Sequence, residues 1–273
     1  MGVALDTRPE VVADVEDAFV GHWSVFGRWE KGSLHEEQGV LWFETPIGHL
    51  PYNGVLRTRI ERDAEAAVPA LVDRFRSRGV DFLWVVHPSA TPENLGDVLA
   101  IHGLRPAEEV TGMALELAGW SAPAPRSGVD YREVLDEADL EAYQALNVRY
   151  WELSEADAAL AAEFQREWGP GRAPGHRYVA FVDGAPVGKG YLSLAAPPGV
   201  AAIYGMYVAP EARGQGIAGG LTSTLIRRGQ ELGCRRVVLH ATEMAVGVYA
   251  RAGFVEHCRL TVFATAPVWS NAA

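Results

Sequence analysis

The sequence predicts an α/β protein made of two related halves, each a mixed sheet flanked by helices. Three observations predict it. Segments with a helical apolar period alternate with short β-type runs along the whole chain. The order of those segments is similar in both halves, and His102-Gly103-Leu104 stands where Ala252-Gly253-Phe254 stands in the second. Between the halves, residues 119–128 read GWSAPAPRSG, a small, Pro-rich and Ser-containing stretch that suits a linker. The expected division is therefore 1–118, a linker at 119–128, and 129–273.

In the first half a helix is expected over 8–20, β-type runs at 40–44 and 55–60, and a helix over 63–78. A strand at 82–87, a helix over 93–102 and a strand near 111–117 follow. In the second half Leu140, Tyr143, Leu146 and Tyr150 share one helical face. Ser154 with Asp157 forms a capping box that opens the next helix, and Gly169-Pro170-Gly171 ends it. Asp183-Gly184 joins two β-type runs as a hairpin turn. The run 200–208 reads as a buried strand, and a Gly-rich loop then opens a helix over 221–232. A strand at 236–240, a helix over 243–252 and a final strand at 254–264 complete the pattern.

With 48% hydrophobic and 22% charged residues, the composition is that of a soluble globular protein. The net charge is −11, and no basic run exceeds Arg227-Arg228 or Arg235-Arg236, which argues against nucleic-acid binding. An anionic cofactor must be held by local donors against that overall field, while cationic small molecules are favoured. The first residues are acidic where a signal peptide is basic, and no apolar run reaches the ~18–20 residues that span a bilayer. Cys234 and Cys258 offer neither a disulfide framework nor a metal spacing. A cytoplasmic, reduced protein without a metal is expected.

The most informative stretch is YGMYVAPEARGQGIAGGLTSTLIRR, a strand running through a turn into an amphipathic helix. Gly214 and Gly216 let backbone approach an anion and adopt positive φ. The helix start supplies unpaired N–H groups and the positive dipole end. Arg213 adds a charge with fork geometry for phosphate oxygens. Residues 214–219 match the dinucleotide pattern G-x-G-x-x-G as letters. However, the strand comes late in the chain, and the next one ends at His240 instead of an acid. A P-loop requires G-K-[ST], which is absent.

Here the sequence resembles the GNAT superfamily of acyl-CoA N-acyltransferases. Its signature Gln/Arg-x-x-Gly-x-Gly/Ala is met by Arg213, Gly216 and Ala218, and Val208-Ala209-Pro210-Glu211 is similar to the family's strand-end tetrapeptide. Downstream, Ala245, Tyr249 and Gly253-Phe254 keep the spacing of Asn-x-x-Ala-x-x-x-Tyr-x-x-x-Gly-Phe, with Thr242 in place of Asn. The resemblance is firm over 177–264, looser before it, and implies a tandem GNAT fold of the kind found in high-GC bacteria. It implies acetyl-CoA (coenzyme A) as cofactor, bound by backbone at Met206, Tyr207 and Val208 on a strand that splays from its neighbour. The loop Arg213, Gly214, Gln215, Gly216, Ile217 and Ala218, with Thr242, would complete the cofactor site. Tyr249 would be the general acid that protonates the CoA thiolate, the alternative being a packing aromatic.

Ala202 occupies the position where many relatives carry a Glu base. Deprotonation through water to Glu152, His176, His240 or Glu243, or arrival of the acceptor as free amine, remain open. The first half lacks the Gly-rich loop, since Glu61-Arg62-Asp63 leads into its helix. It is expected to be a degenerate half that covers the cleft or contacts a partner. Its aromatics Trp23, Phe26, Trp29, Trp42, Phe43 and Tyr52 are read as core before substrate wall. The expected activity is N-acetyl transfer to a primary amine of a small molecule, with no nucleic-acid or membrane partner; a homodimer is compatible with it. The alternatives are a larger acyl-CoA or a non-catalytic CoA-binding regulatory module.

Overall fold

The computed structural model of the chain describes residues 7–61, 64–123, 127–169 and 174–266. The middle of the Pro-rich stretch (124–126), the pair 62–63 and the Pro-Gly at 170–171 lie outside the described residues. The first half runs α1 (Pro9–Gly27), β1 (Ser33–Glu37), β2 (Val40–Glu44), β3 (Gly54–Thr58), α2 (Ala64–Arg78), β4 (Leu83–Val86), α3 (Leu95–Ile101) and β5 (Arg105–Glu116). The second runs β6 (Asp130–Glu133), α4 (Glu137–Trp151), α5 (Glu155–Glu167), β7 (Gly175–Val182), β8 (Ala185–Ser193) and β9 (Val200–Val208). After a 3-10 turn at Pro210–Ala212 come α6 (Ile217–Glu231), β10 (Arg236–Ala241), α7 (Glu243–Arg251) and β11 (Val255–Ala264).

The strands form one mixed 11-stranded sheet in the order β1-β2-β3-β4-β11-β5-β10-β9-β8-β7-β6. Outward from the central β11/β5 pair the two wings repeat each other. Each has one parallel pair, β3 with β4 and β9 with β10, among antiparallel neighbours. Both outer hairpins turn through two positive-φ residues, Gln38-Gly39 (50° and 82°) and Asp183-Gly184 (49° and 80°), the geometry that matches strand twist. The halves also exchange their last strands. β5 pairs with β10, and β11 pairs with β4, so each wing is finished by a strand from the other half.

Helix α1 lies across this exchange. Val11, Val15, Ala18 and Phe19 bury one face of it against strands of both halves. A Cβ at Gly21 would sit 1.7 Å from the Ala195 carbonyl oxygen, so only glycine lets the helix approach the β8–β9 connection so closely. Buried Arg236 of β10 ties the halves electrostatically, bonding Asp14 of α1 and, through Nε at 2.9 Å, Glu116 of β5.

Helix α6 starts at Ile217, four positions before the sequence pattern suggests. Gly219 and Gly220 obscure its beginning because glycine weakens a helix interior. Packing requires one of them: a Cβ at Gly220 would lie 1.9 Å from the Tyr131 hydroxyl of β6.

Candidate active site

Strands β9 and β10 pair from Arg236↔Val200 to Leu239↔Ile203 and then part, while β9 continues to Val208. Tyr204–Val208 therefore present backbone to an opening instead of to a neighbouring strand. On its other side β9 carries a bulge, where the register with β8 shifts between Lys189 and Tyr191. Gly205 sits in that bulge at φ 58°. Its carbonyl accepts a hydrogen bond from Lys189 Nζ at 2.9 Å.

At the end of β9 the chain turns through Arg213, whose Nε donates to the Val208 carbonyl at 3.2 Å. Gly214 (φ 72°) and Gly216 (φ 75°) are left-handed, and a Cβ built at Gly214 meets no atom within 4 Å. Gly216 is the N-cap of α6 and offers no side chain to its first turn. An uncapped helix start under an open glycine backbone is a fitting cradle for a pyrophosphate. The opening between β9 and β10 fits an extended arm leading inward from it.

The opening continues into a cavity of about 420 Å³. Of the residues expected to hold cofactor, Met206, Tyr207, Val208, Arg213, Ala218 and Thr242 line it, whereas Gly214, Gln215, Gly216 and Ile217 form the cradle outside its lining. Tyr249 reaches the cavity from α7, buried and edge-on to Phe254 at 5.9 Å. Burial and the nearby Tyr150 push its phenol above the ordinary value, so it is protonated at any working pH.

Among the four groups considered as base, only His240 lines the cavity. Its Nδ1 shares a hydrogen bond with the Tyr204 hydroxyl (3.2 Å), and burial lowers its pKa to about 3. His176 is instead paired with Glu133 at 2.5 Å, and Ala202 is sealed in the core. Neither Glu152 nor Glu243 lines the cavity.

The far wall comes from the first half. Trp23 and Phe26 of α1 line the cavity with Tyr52, while Trp29, Trp42 and Phe43 pack in the core. His22 of α1 stacks on Tyr204 at 4.0 Å and 9°. Burial, with Lys189 adding to it, lowers the His22 pKa to about 3. Lys189 is 1% exposed, and burial lowers its pKa to about 7. These residues escaped the sequence reading, although a lysine between two glycines in an apolar strand (VGKGYLS) was the available signal.

The corresponding opening in the first wing is filled. Strands β3 and β4 pair only over Gly54↔Leu83 and Val55↔Trp84. Beyond that, His87 Nε2 donates to the Leu56 carbonyl (2.9 Å) and Thr91 N donates to the Thr58 carbonyl (3.1 Å). Ile60 N in turn donates to the Thr91 carbonyl at 3.2 Å. The backbone that β9 leaves open is satisfied internally in β3.

Residues 140–254 match the Acetyltransferase (GNAT) family. A GCN5-related N-acetyltransferase from Kribbella flavida superposes with a TM-score of 0.66, covering 91% of this chain and 95% of that one at 19% identity. The tandem GNAT protein from the clavulanic acid biosynthesis pathway superposes at 0.61, with 96% of each chain covered and 16% identity. The match places the second half of the chain in the GNAT family. The fold is a tandem GNAT, with the family match falling in its second half. Two mycothiol acetyltransferases are similar in sequence. That of Geodermatophilus obscurus is 30% identical over 171 residues, 57% of this chain and 55% of the relative. That of Pseudarthrobacter chlorophenolicus is 29% identical over 209 residues, 70% of this chain and 62% of the relative. The chain thus spans less than two thirds of the length of either. Among the described residues no helix is long and apolar enough to cross a membrane, and no group of His, Cys, Asp and Glu could hold a metal.

Proposed function

We propose that this GNAT protein is an acetyl-CoA-dependent N-acetyltransferase acting on a primary amine of a small molecule. The observation that carries the reading is the parting of β9 from β10 directly above the glycine cradle of α6, with Tyr249 in the same cavity. In this reading 129–273 holds the cofactor, and 1–118 supplies a wall on the acceptor side.

Acetyl-CoA supplies a thioester whose carbonyl carbon accepts the amine nitrogen, the C–N bond forming as the C–S bond breaks. Backbone along Tyr204–Val208 orients the bound arm, and Arg213 with the α6 N-terminus holds its charged end. Tyr249 gives its phenolic proton to the departing sulfur and regains one from solvent, to which the amine nitrogen releases its own.

Among the described residues no carboxylate lines the cavity, whereas Arg177, Lys189 and Arg213 do. Such surroundings destabilise an ammonium, so the acceptor is bound as free amine, and a strong base in place of Ala202 is unnecessary.

The test is acetyl-CoA-dependent thiol release with a panel of primary amines, with calorimetry of acetyl-CoA binding alongside. Arg213→Ala is expected to weaken binding by about 1.5–3 kcal/mol, the worth of a charge-assisted hydrogen bond. Gly216→Glu is expected to abolish binding by placing a carboxylate in the cradle. Parent-like binding by both variants, or thiol release with no amine of the panel, would sink the reading.

A further inference from the structure

In a chain of net charge −11, the cavity is a cationic exception. Among the described residues no Asp or Glu lines it, and Lys189 and Arg177 reach it from neighbouring strands β8 and β7. Both are buried, and they converge on one ring. The Lys189 Nζ lies 5.1 Å and the Arg177 guanidinium carbon 5.9 Å from the centre of Tyr143, with Tyr150 4.9 Å from Nζ.

Neither cation has a carboxylate partner among the described residues. Lys189 spends one hydrogen on Gly205 O, and Arg177 has only a long contact with Gln165 O at 3.4 Å. Buried charge without a counter-ion is costly, and proteins ordinarily pair it. Burial accordingly lowers both pKa values, that of Lys189 to about 7. An anion between the two would remove that cost and could be gripped by Arg177 through two parallel N–H donors.

The pair is set apart from the cofactor cradle. Gly188 and Gly190, either side of Lys189, face α6: a Cβ at Gly188 would meet Leu221 and Ile217, and one at Gly190 would meet Leu225. Lys189 points to the opposite face, toward α4. Around it the lining is aromatic, with unpartnered donors at Trp23 Nε1 and Trp168 Nε1.

We propose that the acceptor is an aromatic amino acid or a similar primary amine bearing an aromatic ring and a carboxylate, the carboxylate seated between Lys189 and Arg177 and the ring against the tryptophans of the cavity. This rests on the acetyltransfer reading for the amine, but the anion seat can be tested without turnover. The probes are matched pairs, phenylalanine with phenylalaninamide and tryptophan with tryptophanamide. They are compared by thiol release and, for the phenylalanine pair, by quenching of cavity tryptophan fluorescence in the CoA-loaded protein.

The carboxylates are expected to show kcat/KM and affinity about 30-fold or more above those of their amides. Lys189→Met is expected to bring that ratio to within about threefold of one. Arg177→Gln tests the same ratio should Lys189→Met fail to fold. Equal binding of acid and amide by the parent overturns the proposal, as does a ratio preserved in every variant that folds. Lys189-dependent preference for the acids without any turnover would leave the anion seat standing and reject acetyl transfer.

Discussion

Tyr249 enters the cavity from α7 with a phenol that burial keeps protonated, and its ring packs edge-on against Phe254. Phenylalanine preserves that packing and removes only the proton. Tyr249→Phe is therefore expected to lower kcat by roughly 10²–10⁴, the range of a general acid, with KM for acetyl-CoA nearly unchanged. Steady-state thiol release beside a melting curve checks this, and an unaltered kcat in a fully folded variant would make Tyr249 a packing residue. At this scale the sequence was legible where chemistry is written in local spacing. Arg213, Gly216 and Ala218 stand at fixed offsets within one strand-loop-helix segment, and Tyr249 at a fixed offset within the later α7 motif, so their shared cavity could be anticipated. The meeting of Lys189 and Arg177 with His22 could not, since it forms only when α1 and α4 pack against the sheet that holds the β7–β8 hairpin.

Two structurally related openings in one sheet have opposite fates. That between β9 and β10 is open, whereas that between β3 and β4 is stitched by His87 and Thr91 to Leu56, Thr58 and Ile60. Glu16 of α1 holds the stitching segment by accepting from Ser89 N at 3.1 Å. One cofactor site among the described residues is the expectation, so native mass spectrometry at saturating acetyl-CoA is expected to show a single bound copy; a second copy would refute the reading of the first wing. The missing glycine loop before α2 points the same way. The filled groove that explains it was not legible, because it depends on a loop returning over β3. Among elements, strong periodicity placed β2, β9 and most helices to within a few residues. β1 was missed because Gln38-Gly39 is a weak turn signal beside Asp183-Gly184, and β6 because four half-exposed residues carry little pattern.

Over the whole molecule, the aromatic interface of the halves encloses three imidazoles whose pKa values burial lowers: His22 and His240 to about 3, and His87 to about 4. The unfolded chain takes up protons at these positions near the ordinary value of 6.5, and the folded one does not until far lower pH. Their contribution to stability is thus complete above pH 6.5 and is lost as pH falls toward 4. Lys189 acts with the same sign in a higher window, adding stability as pH rises from about 7 toward 10.5. The melting temperature is expected to drop steadily between pH 6.5 and 4.5, and a flat profile there would contradict neutral burial of the histidines.

The exchange of β5 and β11 also has a consequence for the order in which the chain is made. When Glu116 leaves the ribosome, β5 has neither of its neighbours, and β4 still lacks the partner that arrives only with Val255–Ala264. The first half therefore passes through synthesis with an open sheet edge and an unpaired twelve-residue strand, a template for wrong pairing. The first wing is not finished until the last strand slides between β4 and β5, so the first half cannot complete its sheet before the second has been made.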